Sequence, residues 1–282
     1  MEDIRNWIEN IDLKTRLHDE WAPHEGVKDE EKFRDIMLNG FDKIMSLKDK
    51  YKNKPMLVMG LGPSLLDIDK EKYKDFLKIT VNNFQKVPDF FTEDFVPDFW
   101  CAANGYDYLK EPYSICLEKK IKAFVTIAKK TELEMLFDDC GVDKDLTLPW
   151  IWENEVFQIM LAKKYNLSKR YTRCNTVTNH AIAFSLWLGC NPIHVTGFDL
   201  SHYNALKNTG NTHAGYTCEE KMENHKVMGP VDGLNALDDA RERKQIVHDL
   251  KYFCSIAYKN DIEIHNLSHK ENKLPYNLSF KI

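Results

Sequence analysis

The chain has 282 residues, and its 44 acidic side chains outnumber its 39 basic ones, for a net charge of -5. That balance argues against a nucleic-acid binder driven by phosphate contacts. Apolar residues at 43% and charged residues at 29% describe a soluble globular protein of one large domain, or a domain with an added subdomain.

No run of about 18 apolar residues is present, so no transmembrane helix is expected. The start, Met1-Glu2-Asp3-Ile4-Arg5, lacks the basic and apolar regions of a secretory signal. Seven scattered cysteines form no C-x-x-C pair and no metal spacing, which predicts reduced thiols, a cytoplasmic location and no metal site.

Residues 1–54 read as a helical N-terminal extension, with Phe33, Ile36, Met37, Phe41, Ile44, Met45 and Leu47 at helical spacing. A scaffold role ranks ahead of partner binding or dimerisation. Residues 55–282 read as a Rossmann-like nucleotide-binding catalytic domain. It opens with a buried strand, Met56-Leu57-Val58-Met59, running into Gly60-Leu61-Gly62-Pro63-Ser64. Two glycines would let a phosphate approach exposed backbone N–H groups, and Ser64 would cap a short helix whose N-terminus favours an anion. A tight turn of any α/β domain explains the same residues equally well.

Ile79-Thr80-Val81 is a second strand ending in Asn82-Asn83-Phe84, and Pro97 to Ala103 a third ending in Asn104-Gly105. Ligands of parallel α/β sheets bind at the carboxyl edge, where Asn can serve a base, ribose or sugar hydroxyl; Asn also simply starts turns. Ile121 to Ile127 is a fourth apolar run, followed by a helix over Glu132 to Cys140. Leu146 to Trp152 is aromatic and contains Pro149; Glu153 to Tyr165 resumes a helical pattern. Asn175-Thr176 precede a helix with Val177, Ala181, Phe184, Ser185 and Leu188 on its apolar face, ended by Gly189 at C′. Ile193 to Leu200 is a strand ending in Gly197-Phe198-Asp199, with His194 as a packed histidine.

Ser201 to Gly233 is polar and too long for a plain connector, so it reads as a lid carrying His202, His213 and His225. A lid histidine could act as a general base, although for any single one a solvated loop position is the simpler reading. A helix over Ala236 to Lys259 and a strand over Ile262 to Ser268 complete a mostly parallel sheet with helices on both faces.

Taken in order, Gly60-Leu61-Gly62-Pro63-Ser64-Leu65, Asn82-Asn83-Phe84, Pro97-Asp98-Phe99, Gly197-Phe198-Asp199 and Asn211-Thr212-His213-Ala214 resemble one superfamily. It joins the 6-hydroxymethylpterin diphosphokinase-like proteins with the motility-accessory-factor glycosyltransferases and, more distantly, the bacterial lipooligosaccharide sialyltransferases. The resemblance covers about residues 55 to 268. It implies a glycosyltransferase for surface glycan or glycoprotein synthesis, with a CMP-linked sialic-acid-type donor and a glycan or small-molecule acceptor. Carried over by motif, Gly60, Gly62, Pro63, Ser64, Asn82, Asn83, Asn104, Thr176, Gly197 and Asp199 would line the nucleotide site, and His213 or His225 would be the base. The stretch from Arg173 through the helix is one residue longer than in the sialyltransferases, and the lid tyrosines do not align cleanly.

No cofactor is required on that reading. The alternative is an ATP-dependent pyrophosphokinase, which would need magnesium held by carboxylates such as Asp67, Asp69, Asp98 or Asp199. A third reading is a non-catalytic nucleotide-binding module. Homo-oligomerisation is compatible with any of the three.

Overall fold

The computed structural model describes residues 2–10, 28–102, 106–127, 130–151, 164–165, 176–198 and 236–268. Seven strands form one parallel sheet: β1 (Met56–Met59), β2 (Leu77–Val81), β3 (Phe99–Ala102), β4 (Lys122–Ile127), β5 (Thr147–Ile151), β6 (Ile193–Thr196) and β7 (Ile264–Asn266). Their order is β5-β4-β3-β2-β1-β6-β7, and every adjacent pair runs parallel. The α/β, Rossmann-like fold expected from the alternating pattern is the one observed. β1 and β3 are buried along their whole length, as strands covered on both faces must be, and this is why they read as unbroken apolar runs.

The order reverses direction at β1. From there the chain winds outward through β2, β3, β4 and β5 on one side, then returns to lay β6 and β7 on the other. The gap between the carboxyl ends of β1 and β6 is therefore the topological switch point, where open α/β sheets form a crevice.

Helices α1 (Glu2–Asn10) and α2 (Glu30–Ser46) precede the sheet; α3 (Lys70–Tyr73), α4 (Tyr106–Lys119), α5 (Lys130–Cys140), α6 (Val177–Leu188) and α7 (Ala236–Lys259) follow in chain order. The described part of the extension holds these two helices, as its periodicity predicts, and Phe33, Ile36, Met37, Phe41 and Ile44 of α2 join the core that packs on the sheet. Glu134 fixes the start of α2 by accepting from the Lys28 and Asp29 amides, both at 2.9 Å. α2 lies over β5, where Gly40 meets Pro149 so closely that a Cβ on Gly40 would sit 2.2 Å from the proline Cδ.

β5 was not legible as a strand, because Pro149 cannot donate to a ladder. It is tolerated because β5 is the edge of the sheet. The periodicity also does not single out α4, whose interior holds Pro112, ordinarily a helix breaker.

The helix predicted after Thr176 is α6, but no single apolar face describes it. All twelve residues from Val177 to Leu188 are buried, so it is an internal helix crossing β1, β2 and β3. Phe184 stacks on Phe124 at 4.6 Å and meets Phe99 edge-on at 5.6 Å. Trp187 donates through Nε1 to the Ile44 carbonyl at 2.7 Å, tying α6 to the end of α2. Among the described residues no helix is long and apolar enough to cross a membrane. Cys116, Cys140, Cys190 and Cys254 are free thiols.

Candidate functional site at the sheet switch point

Gly60 directly follows β1 and Gly197 directly follows β6, and the two backbones touch. A Cβ on Gly60 would lie 2.3 Å from the Gly197 carbonyl oxygen; a Cβ on Gly197 would lie 2.1 Å from that of Gly60. Gly197 has φ +64°, in the left-handed region that side chains resist. The first physical reason for these glycines is thus the close approach of two strand ends, not the approach of a phosphate.

The turn differs from the sequence expectation in two further ways. The Gly60 amide donates to Thr196 O and the Gly62 amide to Gly197 O, each at 2.8 Å, so neither N–H is exposed for an anion. Ser64 is not a helix cap. The element after the turn is a 3-10 helix, Pro63–Asp67, entered from Gly62, and Ser64 lies inside it. Pro63 explains the shift, because its fixed φ suits the first helical position and moves the cap two residues back, to Gly62. The Ser64 hydroxyl is buried and accepts from the Gly197 amide at 3.0 Å.

The helix N-terminus that does reach the crevice belongs to α6. Thr176 caps it, accepting from the Asn179 amide at 3.2 Å. The Thr178 hydroxyl lies 3.3 Å from the point a Gly60 Cβ would occupy, so the first turn of α6 stands directly beside the β1 turn. A twelve-residue helix ending there brings the partial positive charge of its N-terminus to the switch point.

Asn82 and Asn83 follow β2, next to the β1 turn. Asn82 takes a left-handed conformation, φ 43°, which Asn tolerates better than most residues. Its carbonyl accepts from the fully buried Trp100 Nε1 at 2.7 Å and from the Phe84 amide at 3.0 Å. Asn83 is buried beside it and starts the 3-10 turn Phe84–Lys86. Gly60, Gly62, Ser64, Asn82, Asn83, Thr176 and Gly197 are thus brought to one end of the sheet. Asn104, Asp199, His213 and His225, and with them the Ser201 to Gly233 lid, lie outside the described residues.

Trp100, Thr178 and Thr196 support this edge and were missed from sequence. Trp100 reads as core, and the only hint for the threonines is position, one directly before Gly197 and one two residues past the Thr176 cap.

Of the carboxylates offered for magnesium, one is placed elsewhere and another has a structural partner. Asp98 precedes β3 at the amino edge, where its Oδ2 accepts from the Lys78 amide at 2.8 Å. Asp69 caps α3 by accepting from the Glu71 amide. Among the described residues no group of three His, Cys, Asp or Glu is arranged for a metal ion. His194 is packed, as expected from its place inside a strand. It meets His265 edge-on at 4.7 Å and lies 3.3 Å from the Tyr73 hydroxyl. Burial, then the neighbouring His265, lowers its pKa from 6.5 to about 4.

No family model matches the sequence, and no curated protein matches it. Solved structures similar in fold include the sialyltransferase CstII from Campylobacter jejuni in complex with cytidine-5'-monophosphate, at 14% identity and a TM-score of 0.46, covering 77% of this chain and 81% of that one. A mammalian sialyltransferase matches at 13% identity and a TM-score of 0.36, over 68% and 75% of the two chains. The MAf glycosyltransferase from Magnetospirillum magneticum AMB-1 matches at 18% identity and a TM-score of 0.35, over 58% of this chain and 27% of that one. Likeness of this degree concerns the fold and carries no weight for activity.

Proposed function

We propose that this chain is a cytoplasmic glycosyltransferase whose donor is a nucleotide-activated sugar, of the CMP-linked sialic-acid type. The observation that carries the reading is the carboxyl edge of the sheet at the β1–β6 switch point, where the N-terminus of α6 and Asn82-Asn83 both adjoin the β1 turn. The α6 end suits a nucleotide phosphate, and the Asn pair suits ribose or sugar hydroxyls. On this reading the Gly60 to Ser64 turn forms the near lip of the crevice. The phosphate partners are Thr176 and the amides that follow it. Gly197 stands at the far lip, and Asp199 would join the residues that hold the donor. His213 or His225 would take the acceptor hydroxyl proton as the anomeric carbon loses CMP. The order of the motifs along the chain supports the glycosyltransferase class.

A pyrophosphokinase using magnesium and ATP is the second reading. It is weakened by the position of Asp98 at the amino edge and by the engagement of Asp69 as the cap of α3. A thermal-shift series with CMP, CDP, UDP, GDP and ATP, each with and without magnesium, separates the two. Stabilisation by CMP or CDP without magnesium is expected; stabilisation by ATP with magnesium alone would replace the reading with the kinase. If transfer is then found, His213→Ala or His225→Ala should lower it by about 100-fold. Transfer that survives both changes would remove the lid base from the mechanism.

A further inference from the structure

Four hydrogen bonds join the turn after β1 to the turn after β6. One, Gly60 N to Thr196 O, continues the ladder; the other three go beyond it. Gly62 N donates to Gly197 O, Gly197 N donates to Ser64 Oγ at 3.0 Å, and Thr196 Oγ1 donates to Ser64 O at 3.1 Å. Ser64 therefore places both its hydroxyl and its carbonyl on the β6 turn. The next amide, Phe198 N, donates to the hydroxyl of Ser268 just past β7 at 3.2 Å. Two consecutive amides are thus held by serine hydroxyls from opposite sides. Ser64 is 1% exposed and Thr196 is 0% exposed, so these hydroxyls face protein rather than the crevice.

We infer that Ser64 and Thr196 are positioning residues that clasp the two lips of the crevice into one body. This rests on the nucleotide-binding reading of the same crevice. The physical argument concerns geometry. Two loops at adjacent strand ends ordinarily move independently, and a ligand touching both must first fix their separation. Here the separation is preset by the glycine contact, which admits no Cβ, and by the two bonds that Ser64 accepts, from Gly197 N at its hydroxyl and from Thr196 Oγ1 at its carbonyl. Removing one hydroxyl leaves a buried group without its partner, and the loss falls on the shared position of both turns. Ser64 then contributes to nucleotide affinity without touching the nucleotide.

The test uses the full chain with CMP as probe and the variants Ser64→Ala, Thr196→Val, the double variant and Thr196→Ser. Each single change is expected to weaken CMP about tenfold. The double variant should lose far less than the product of the two, because both bonds hold one clasp. Thr196→Ser keeps the hydroxyl and should bind as wild type does. The Gly197 amide should exchange with solvent at least tenfold faster in Ser64→Ala. If Ser64→Ala weakens CMP while Thr196→Val leaves it unchanged, Ser64 is a contact residue and the clasp is wrong. Lowered melting temperature with unchanged affinity in both would also overturn it. If the wild type binds no CMP, the nucleotide reading fails separately. The clasp is then decided by Gly197 exchange, and an unchanged rate in Ser64→Ala rejects it.

Discussion

The two ends of α6 meet the same physical demand in opposite ways. Every helix leaves its last carbonyls and first amides without intrahelical partners. At the C-terminal end of α6, on the amino edge of the sheet, the protein supplies them densely. Leu186 O accepts from Lys164 Nζ at 2.7 Å and from the Tyr165 hydroxyl at 2.7 Å. Trp187 O accepts from Lys164 Nζ at 2.9 Å and from the Asp49 amide at 3.0 Å. Leu188 O accepts from the Tyr51 amide and Gly189 O from the Asn53 amide, each at 3.0 Å. Asp49 pairs with Lys164 at 2.6 Å, although burial still lowers the lysine pKa. At the N-terminal end the described cap is Thr176 on the Asn179 amide, beside a glycine contact that keeps side chains away. One end is closed by structure. The other is the end that the proposed reading assigns to the nucleotide.

Substitutions can break this contrast. The largest effect is expected from Gly197→Ala, which would force a Cβ to 2.1 Å from Gly60 O at a positive φ. Backbone contact and left-handed strain together should cost about 3 kcal/mol or more, read as a fall in the denaturant midpoint. A variant as stable as wild type would show that the turns can separate freely.

The next effect compares the two ends directly. Lys164→Met keeps the buried volume but removes charged donors from two carbonyls, and should cost about 2 kcal/mol while leaving CMP affinity unchanged. Thr176→Ala removes one cap and should cost about 1 kcal/mol, yet weaken CMP about tenfold, with Thr176→Ser restoring both. If Lys164→Met weakens CMP as much as Thr176→Ala does, the two ends are not functionally distinct.

The smallest effect concerns pH. His194 is held neutral among His265, Tyr73, Lys72 and Glu263, with its folded pKa near 4 against 6.5 unfolded. The unfolded chain binds the proton first, so this histidine's contribution is complete above pH 6.5 and is lost as pH falls toward 4. The urea midpoint should decline across that window, and the decline should be shallower in His194→Phe. Equal slopes in the two proteins would mean that other groups govern the acid limb.

Much of the fold was legible because it depends on local pattern. Met56–Met59 and the run from Lys122 to Ile127 are apolar beyond what a surface strand tolerates, and Gly189 marks the end of α6 with φ +80° as its C′ position predicts. α7 spans Ala236–Lys259, the limits expected from the sequence. What stayed hidden has specific causes. Pro149 masks β5 and Pro112 masks α4, since proline weakens the local signal whether or not neighbours compensate. At the site, the residue types were legible but the roles were not. Glycines read as phosphate-approach positions prove to be backbone contacts, and the helix that brings its N-terminus to the crevice starts more than a hundred residues after the turn.

Sequence by itself determined the strand and helix segments other than β5 and α4, the parallel class of the sheet and the Gly and Asn residues collected at its carboxyl edge, because these follow from hydrophobic period and from the conformations that Gly, Asn and Pro allow. Tertiary structure alone decided the order of the strands, the covering of β5 by α2, the contact of Gly60 with Gly197 and the part played by Ser64. Those depend on which distant segments share a neighbour, and a bond between residues 133 positions apart, such as Gly197 N to Ser64 Oγ, leaves no periodic trace in the chain.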